Sequence, residues 1–341
     1  MQIEGDERSV RRFLKDGNAW CVGPRRGNVI PAKVPPKAGN DDYNVRADYY
    51  LLRKSHAASP MPTLTQLILY PIKSCAGMPV PAATLLDAGL SAQGVHDREW
   101  MVVLEDGQFL TQREYPRMAL IRPRPEGDYL HLSMPGQPDL ALPLAWSGSE
   151  TPRRVRVWDD LVDAADCGDA AAGWFSAALG TACRLVRFRR DAHRPTSVKW
   201  TGGVASQTRF ADGYPLLLIG QASLDDLNVR LHGAGRAPLP MDRFRPNLVV
   251  DGLEAFEEDY LEALHDADLA IRPVKPCGRC PIPSIDQATA IPGPDPLDIL
   301  QTYRANARLE GAVCIGMNCI VVRGAGTELR IGQVLDAELA F

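Results

Sequence analysis

Near the start of the last quarter of the chain, Pro276-Cys277-Gly278-Arg279-Cys280 sets two thiols and a guanidinium on one tight turn. A strand-like run, Leu269–Val274, leads into it, and a Pro-rich loop follows from Pro281. Cys-x-x-Cys spacing serves as a metal knuckle, a dithiol redox pair, or one soft ligand beside a spectator thiol. For the first use, Cys314 and Cys319 could complete four sulfurs, as in zinc or iron–sulfur sites. Both sit inside the apolar run Val313–Ile320, however, where cysteine reads as a small buried hydrophobe. For the second, the pair would have to open a helix whose N-terminus lowers a thiol pKa. Pro281 and Pro283 forbid a regular helix there. The surroundings favour the third use, a single thiolate binding a soft metal carried by an organic cofactor. Arg279 would lower a neighbouring thiol pKa and could hold an anion. A pterin phosphate would need further cations, for which Lys73-Ser74, Arg98, Arg209 and Arg245 are isolated candidates.

The elements that must position these residues are short. Thr63–Tyr70 alternates like a strand, Trp100–Leu104 is a β-branched and aromatic run, and Asp106-Gly107 is a hairpin turn. Further strands are expected over 129–132, 154–157, 216–219, 248–250, 269–274, 319–322 and 328–331. Helices are expected over 170–179, stopped by Gly180, and over 223–230, with Ser223 as N-cap. This predicts a mainly β chain with a few helices (α+β), built as barrel or sandwich over two subdomains. At 341 residues, 45% hydrophobic and 23% charged, there is room for two domains and an ordinary core. A net charge of −4 argues against a nucleic-acid partner. No run approaches the ~18 apolar residues of a membrane span, so no membrane partner is expected. No secretory signal is expected from the N-terminal residues, and eight cysteines are too sparse for a disulfide scaffold. A reducing cytoplasm is the default location. Residues 1–61 stand apart: Arg and Lys outweigh the acids, and Pro31, Pro35 and Pro36 break any periodicity. They read as a basic, poorly ordered extension.

Seven motifs occur in one order: Tyr70-Pro-Ile-Lys-Ser-Cys-Ala-Gly77, His96-Asp-Arg-Glu-Trp100, Phe109-Leu-Thr-Gln-Arg113, Phe210-Ala-Asp-Gly-Tyr-Pro215, Ser223-Leu-x-x-Leu-Asn228, Arg243-Phe-Arg-Pro-Asn247 and Cys277-Gly-Arg-Cys280. Together they resemble MOSC-domain proteins of the amidoxime-reducing type, among them bacterial hydroxylaminopurine-resistance proteins. The resemblance implies a MOSC N-terminal β-barrel-like domain over 62–185 and a MOSC β-barrel domain over 198–341. It implies a molybdenum cofactor of the molybdopterin type, with Cys280 as the catalytic residue and protein ligand to the metal. A thiolate suits that role as a soft donor. By the same resemblance Lys73, Ser74, Arg98 and Arg245 hold the pterin and its phosphate, and Asp212, Gly213 and Tyr214 form a cofactor-contact loop. Gly278 and Arg279 fall beside the ligand, and Asn247 and Asn318 are further pocket residues. Asn247 could instead only cap the turn after Pro246. Thr111-Gln112-Arg113 is expected at the cleft. The implied activity is reduction of hydroxylaminopurines, amidoximes or hydroxylamines. Electrons would come from a separate ferredoxin, flavin-reductase or cytochrome-type protein, because no iron–sulfur cluster is expected in this chain. The rival is a non-catalytic carrier of the cofactor, or of sulfur through Cys280. Pyridoxal phosphate is a family-level association only, as the chain lacks room for a desulfurase domain.

Overall fold

The alternating stretch Thr63–Tyr70 becomes the strand Thr63–Leu69, with Leu64, Leu67 and Leu69 in the core. The computed structural model describes residues 61–340 and the backbone of 11–15, 18–22 and 29–32. Strand Thr63–Leu69 pairs antiparallel with Leu248–Asp251, far along the chain, so the N-terminal half opens inside the sheet of the C-terminal half. That sheet runs Asp336–Leu339, Leu261–His265, Ala270–Gly278, Ala312–Arg323, Leu216–Gly220, Leu248–Asp251, Thr63–Leu69, Met78–Val80. The exchange is reciprocal. Glu328–Arg330 joins Ala82–Leu86 in a second sheet with Gly89–Ala92 and Val95–His96. The rest of the N-terminal half is a four-stranded sheet (Pro152–Val157, Asp160–Asp166, Arg184–Phe188, Trp100–Val103) and the meander Arg122–Glu126, Tyr129–Ser133, Leu140–Pro143. Helix Asp169–Leu179 buries Trp174, Phe175 and Leu179 and ends at Gly180, which is left-handed as its sequence predicts. The described fold is mainly β with four α-helices.

Leu216–Gly220 and Leu248–Asp251 run parallel, which requires a crossover, and helix Gln221–Gly233 supplies it. Ser223 does not cap that helix, which starts two residues earlier after Gly220. Its hydroxyl is buried, donating to Glu258 Oε2 (2.7 Å) and accepting from the Phe256 N–H (2.7 Å). A buried carboxylate in need of a donor has outweighed the local capping preference. The strand expected over 269–274 is also longer, running Ala270–Gly278 against Ala312–Arg323. Register shifts between Pro273 and Lys275 and between Pro276 and Gly278 let the prolines stay in the ladder. Cys277 is therefore on a strand, and only Arg279 and Cys280 enter the loop. Helix Leu297–Arg304 is not announced by the sequence pattern.

Within residues 1–61, Arg11–Lys15, Asn18–Val22 and Val29–Ala32 form an antiparallel three-stranded meander. Residues 1–10, 16–17, 23–28 and 33–60 of that segment lie outside the described residues. Among the described residues, no helix is long and apolar enough to cross a membrane.

Candidate functional site

One cavity of about 690 Å³ draws its lining from both halves of the chain. All twelve assigned residues lie on it: Lys73, Ser74, Arg98, Asp212, Gly213, Tyr214, Arg245, Asn247, Gly278, Arg279, Cys280 and Asn318. Thr111 and Arg113 line it as well, whereas Gln112 is buried behind, donating to the Ser74 carbonyl (2.7 Å). Arg209 does not reach it and faces the Ala88 carbonyl instead (3.5 Å).

The segment after the first strand is laced to Arg98–Trp100 by backbone bonds. Arg98 N donates to Tyr70 O (2.7 Å), Trp100 N to Pro71 O (3.0 Å) and Lys73 N to Trp100 O (2.8 Å). Three assigned residues hold left-handed backbone, Ser74 (φ 65°), Arg98 (φ 47°) and Arg245 (φ 57°). For residues with side chains such conformations cost about 1–3 kcal/mol each and gather where geometry serves function. The guanidinium carbons of Arg98 and Arg245 each lie 4.3 Å from the centroid of the Tyr70 ring. Gly77 makes room for that ring, since a Cβ there would come within 2.6 Å of it. Burial pushes the Tyr70 hydroxyl up to about 12, so it stays neutral between the two cations.

Asn247 is more than a turn cap. Its buried carboxamide accepts from Arg98 Nη1 (3.0 Å) and Leu217 N (3.2 Å) and donates to Ile68 O and Asp97 Oδ1 (3.0 Å each). Asp97, which sequence reasoning passed over, also takes the Tyr70 N–H (2.8 Å) and Arg98 Nη1 (2.5 Å). Its adjacency to Arg98 was the signal available. Arg245 is different in kind: its Nη1 is buried with no hydrogen-bond partner among the described residues. Burial lowers the pKa of the guanidinium, which marks an uncompensated charge.

Lys73 is buried, its ammonium donating to Phe210 O (2.9 Å) and Asp212 Oδ1 (2.5 Å). Burial lowers its pKa and Asp212 opposes that shift. Asp212 Oδ1 also accepts from the indole of Trp158 (3.1 Å), so this carboxylate positions neighbours. The Tyr214 hydroxyl is buried without a partner among the described residues and pushed up to about 12 by burial. Asn318 donates to the Lys275 carbonyl across the strand pair (3.2 Å).

Cys280 is half-buried, with no hydrogen bond to its sulfur among the described residues. Burial pushes the Cys277 thiol up, and Arg279 opposes it. Arg279 itself is spent on backbone: Nε and Nη2 on Ile315 O (3.0 and 2.7 Å), Nη1 on Phe244 O (2.8 Å). Its part is therefore to fix the peptide ahead of Arg245. Anion holding falls to others. Cys314 and Cys319 are buried, each facing a carbonyl of its own strand. Among the described residues no three His, Cys, Asp or Glu side chains gather as a metal site, so the four-sulfur arrangement is not assembled.

Residues 61–182 match the family model of the MOSC N-terminal beta barrel domain, and residues 205–336 match that of the MOSC domain. The chain belongs to the MOSC-domain family. It is 36% identical over 258 residues to mitochondrial amidoxime reducing component 2 of Rattus norvegicus, covering 74% of this chain and 75% of that protein. To mitochondrial amidoxime-reducing component 1 of Homo sapiens it is 33% identical over 256 residues, with the same coverage. To component 1 of Mus musculus it is 35% identical over 290 residues, covering 82% and 84%.

As a MOSC site the cavity can be tested for fit to a phosphate-bearing pterin and a soft metal. The orphaned Arg245 Nη1 asks for an anion, Arg98 and Lys73 add charge to the same cavity, and Cys280 offers a sulfur with no hydrogen bond among the described residues. The donor set fits. Cavity residues that sequence reasoning missed, Trp158, Lys199, Trp200, Lys275 and Arg308, come from four places in the chain, Lys199 and Trp200 sharing the helix Val198–Thr201, and lie in none of the seven motifs.

Proposed function

We propose that this chain is an oxidoreductase that binds a molybdenum cofactor and reduces N-hydroxylated compounds, among them hydroxylaminopurines, amidoximes and hydroxylamines. The supporting observation is the convergence of Cys280 with Arg245, Arg98 and Lys73, from four separate motifs, on one cavity. The similarity to amidoxime-reducing components supports the same reading. Arg245, Arg98, Lys73 and Ser74 would hold the pterin and its phosphate, and the Cys280 thiolate would ligate the metal. When bound, the group supplies a centre that takes up two electrons and passes them on. The overall conversion balances as R–NH–OH plus two electrons and two protons giving R–NH2 and water, with the N–O bond broken. A separate ferredoxin, flavin-reductase or cytochrome-type protein would provide the electrons.

The protein's share is preorganisation. Asn247 and Asp97 hold Arg98, Arg279 fixes the peptide before Arg245, and Asp212 keeps Lys73 charged against its burial. None of these has to rearrange when the anion arrives. Metal and pterin analysis of purified protein, with amidoxime turnover by a chemical reductant, tests the reading. Molybdenum, pterin and turnover lost in Cys280→Ser are expected. Zinc without pterin, or a persulfide on Cys280 without turnover, would replace it with a structural or a sulfur-carrier role.

A further inference from the structure

We propose that the cavity carries a second anion site, Lys199, Lys275 and Arg308 around Trp200, which takes the phosphate of an N-hydroxylated nucleotide substrate. This rests on the function proposed above and deepens it by naming the substrate class. Three separate elements supply the cations: the short helix Val198–Thr201, the strand Ala270–Gly278 and the turn Ala307–Leu309. The charged groups of Lys199, Lys275 and Arg308 lie 5.8, 5.5 and 5.1 Å from the centroid of the same indole. Among the described residues none of the three has an ion-pair partner. Like charges set around one ring repel, and the attraction of an exposed cation to a ring, about 0.5–1 kcal/mol, gives little reason to gather three.

Deeper in the lining the cations are mostly matched. Lys73 faces Asp212 (2.5 Å), Arg98 faces Asp97 (2.5 Å), Arg243 faces Asp286 (2.7 Å), and Arg279 is spent on carbonyls. Nine cationic side chains line the cavity against two acidic ones, in a chain of net charge −4. With Arg245 and Arg98 assigned to the cofactor, the Trp200 cluster remains for an anion on a second molecule. It belongs to a concave surface and converges on one ring. That suits a single phosphate better than a docked protein, whose interface would bury about 1,200–2,000 Å². The same cavity offers aromatic surface for a flat base. Trp158 is 43% exposed on a left-handed backbone (φ 55°), with the Arg113 guanidinium 4.8 Å from its ring. Stacking on such surfaces binds any base by its π-face. A flat base and a phosphate joined through a sugar make a nucleotide.

The test compares hydroxylaminopurine ribonucleoside with its 5′-monophosphate, using the cofactor-loaded protein and its Lys275→Gln/Arg308→Gln variant. The wild type is expected to favour the monophosphate in kcat/KM, through KM, by roughly tenfold to a hundredfold, the scale of charge-assisted contacts. The variant should bring that ratio close to one while keeping its molybdenum and pterin. Equal use of both compounds by the wild type overturns the proposal. So does loss of cofactor from the variant, which would assign the cluster to the cofactor's own phosphate. A variant slowed only with a protein electron donor, and not with a chemical reductant, overturns it in favour of donor docking. If neither compound is reduced, the functional reading has failed, and calorimetric binding of adenosine 5′-monophosphate against adenosine still decides the site. Tighter binding of the monophosphate that disappears in the variant supports it, and no difference overturns it.

Discussion

Cys280 and Cys277 are three residues apart yet differ in kind. Both are half-buried and line the cavity, but Cys280 is a loop thiol with no hydrogen-bond partner among the described residues, whereas Cys277 is next to last in the strand Ala270–Gly278, its pKa raised by burial. Cys280→Ser is therefore expected to abolish turnover while circular dichroism and melting temperature stay near wild type. Cys277→Ser should keep substantial activity. Equal loss with unfolding in both would point to a structural metal knuckle, whose metal contributes folding energy outright. Arg245 gives a second prediction. Its buried, unpartnered Nη1 costs the empty protein about 1–3 kcal/mol, which offsets the stacking on Tyr70 that Arg245→Ala would remove. The empty variant should melt within a few degrees of wild type, yet retain at least about tenfold less cofactor after equilibration. Normal occupancy in Arg245→Ala would remove this residue from the cofactor's anchor. The motifs brought out both residues, each a chemically unusual type at a fixed place, and the fold sets both on the cavity. They could not show that Arg279 is spent on carbonyls, because that depends on Ile315 and Phe244, which approach only in the fold.

At the scale of elements, the turn Glu257–Tyr260 buries the Glu258 carboxyl against the helix Gln221–Gly233 through Ser223. Burial, with the Asp259 charge adding to it, pushes the Glu258 carboxyl up to about 7. In the unfolded chain a glutamate ionises near pH 4.3, roughly. Between these values the native state holds the extra proton, so stability falls as pH rises through the window and stays lowered above about pH 7. The loss is of the order of 3–4 kcal/mol. Glu258→Gln, neutral throughout, should melt higher than wild type at pH 8 and show no such gain at pH 5. The same gain at both pH values would mean that packing, and not titration, sets the difference. Local pattern anticipated the helix of residues 170–179 and its glycine stop, since capping by Gly180 is decided within one turn. It placed Ser223 wrongly because the group that competes for its hydroxyl lies on another element.

Across the whole molecule, the two MOSC halves trade strands: Thr63–Leu69 lies in the C-terminal sheet and Glu328–Arg330 pairs with Ala82–Leu86. Residues 61–340 fall within one compact unit. Residues 61–192 expressed alone should therefore fail to fold, and the full chain should show one cooperative transition for both halves by calorimetry. Two separable transitions, or a folded isolated half, would show that the shared strands are dispensable. Eleven of the twelve residues on the cavity came from five of the seven motifs, with Asn318 outside them, and short-range patterns anticipated nine of the strands and the Gly180 stop but passed over the others, among them Ala82–Leu86, Asp160–Asp166 and Leu261–His265. The sharing of strands between halves, the left-handed Ser74, Arg98 and Arg245, and the cation cluster at Trp200 were not legible. Sequence determined which groups are present and their local preferences, since those depend on neighbours within a few residues. Only the tertiary structure decided which charges are neutralised and which are left open, because desolvation and pairing depend on distances between segments far apart in the chain.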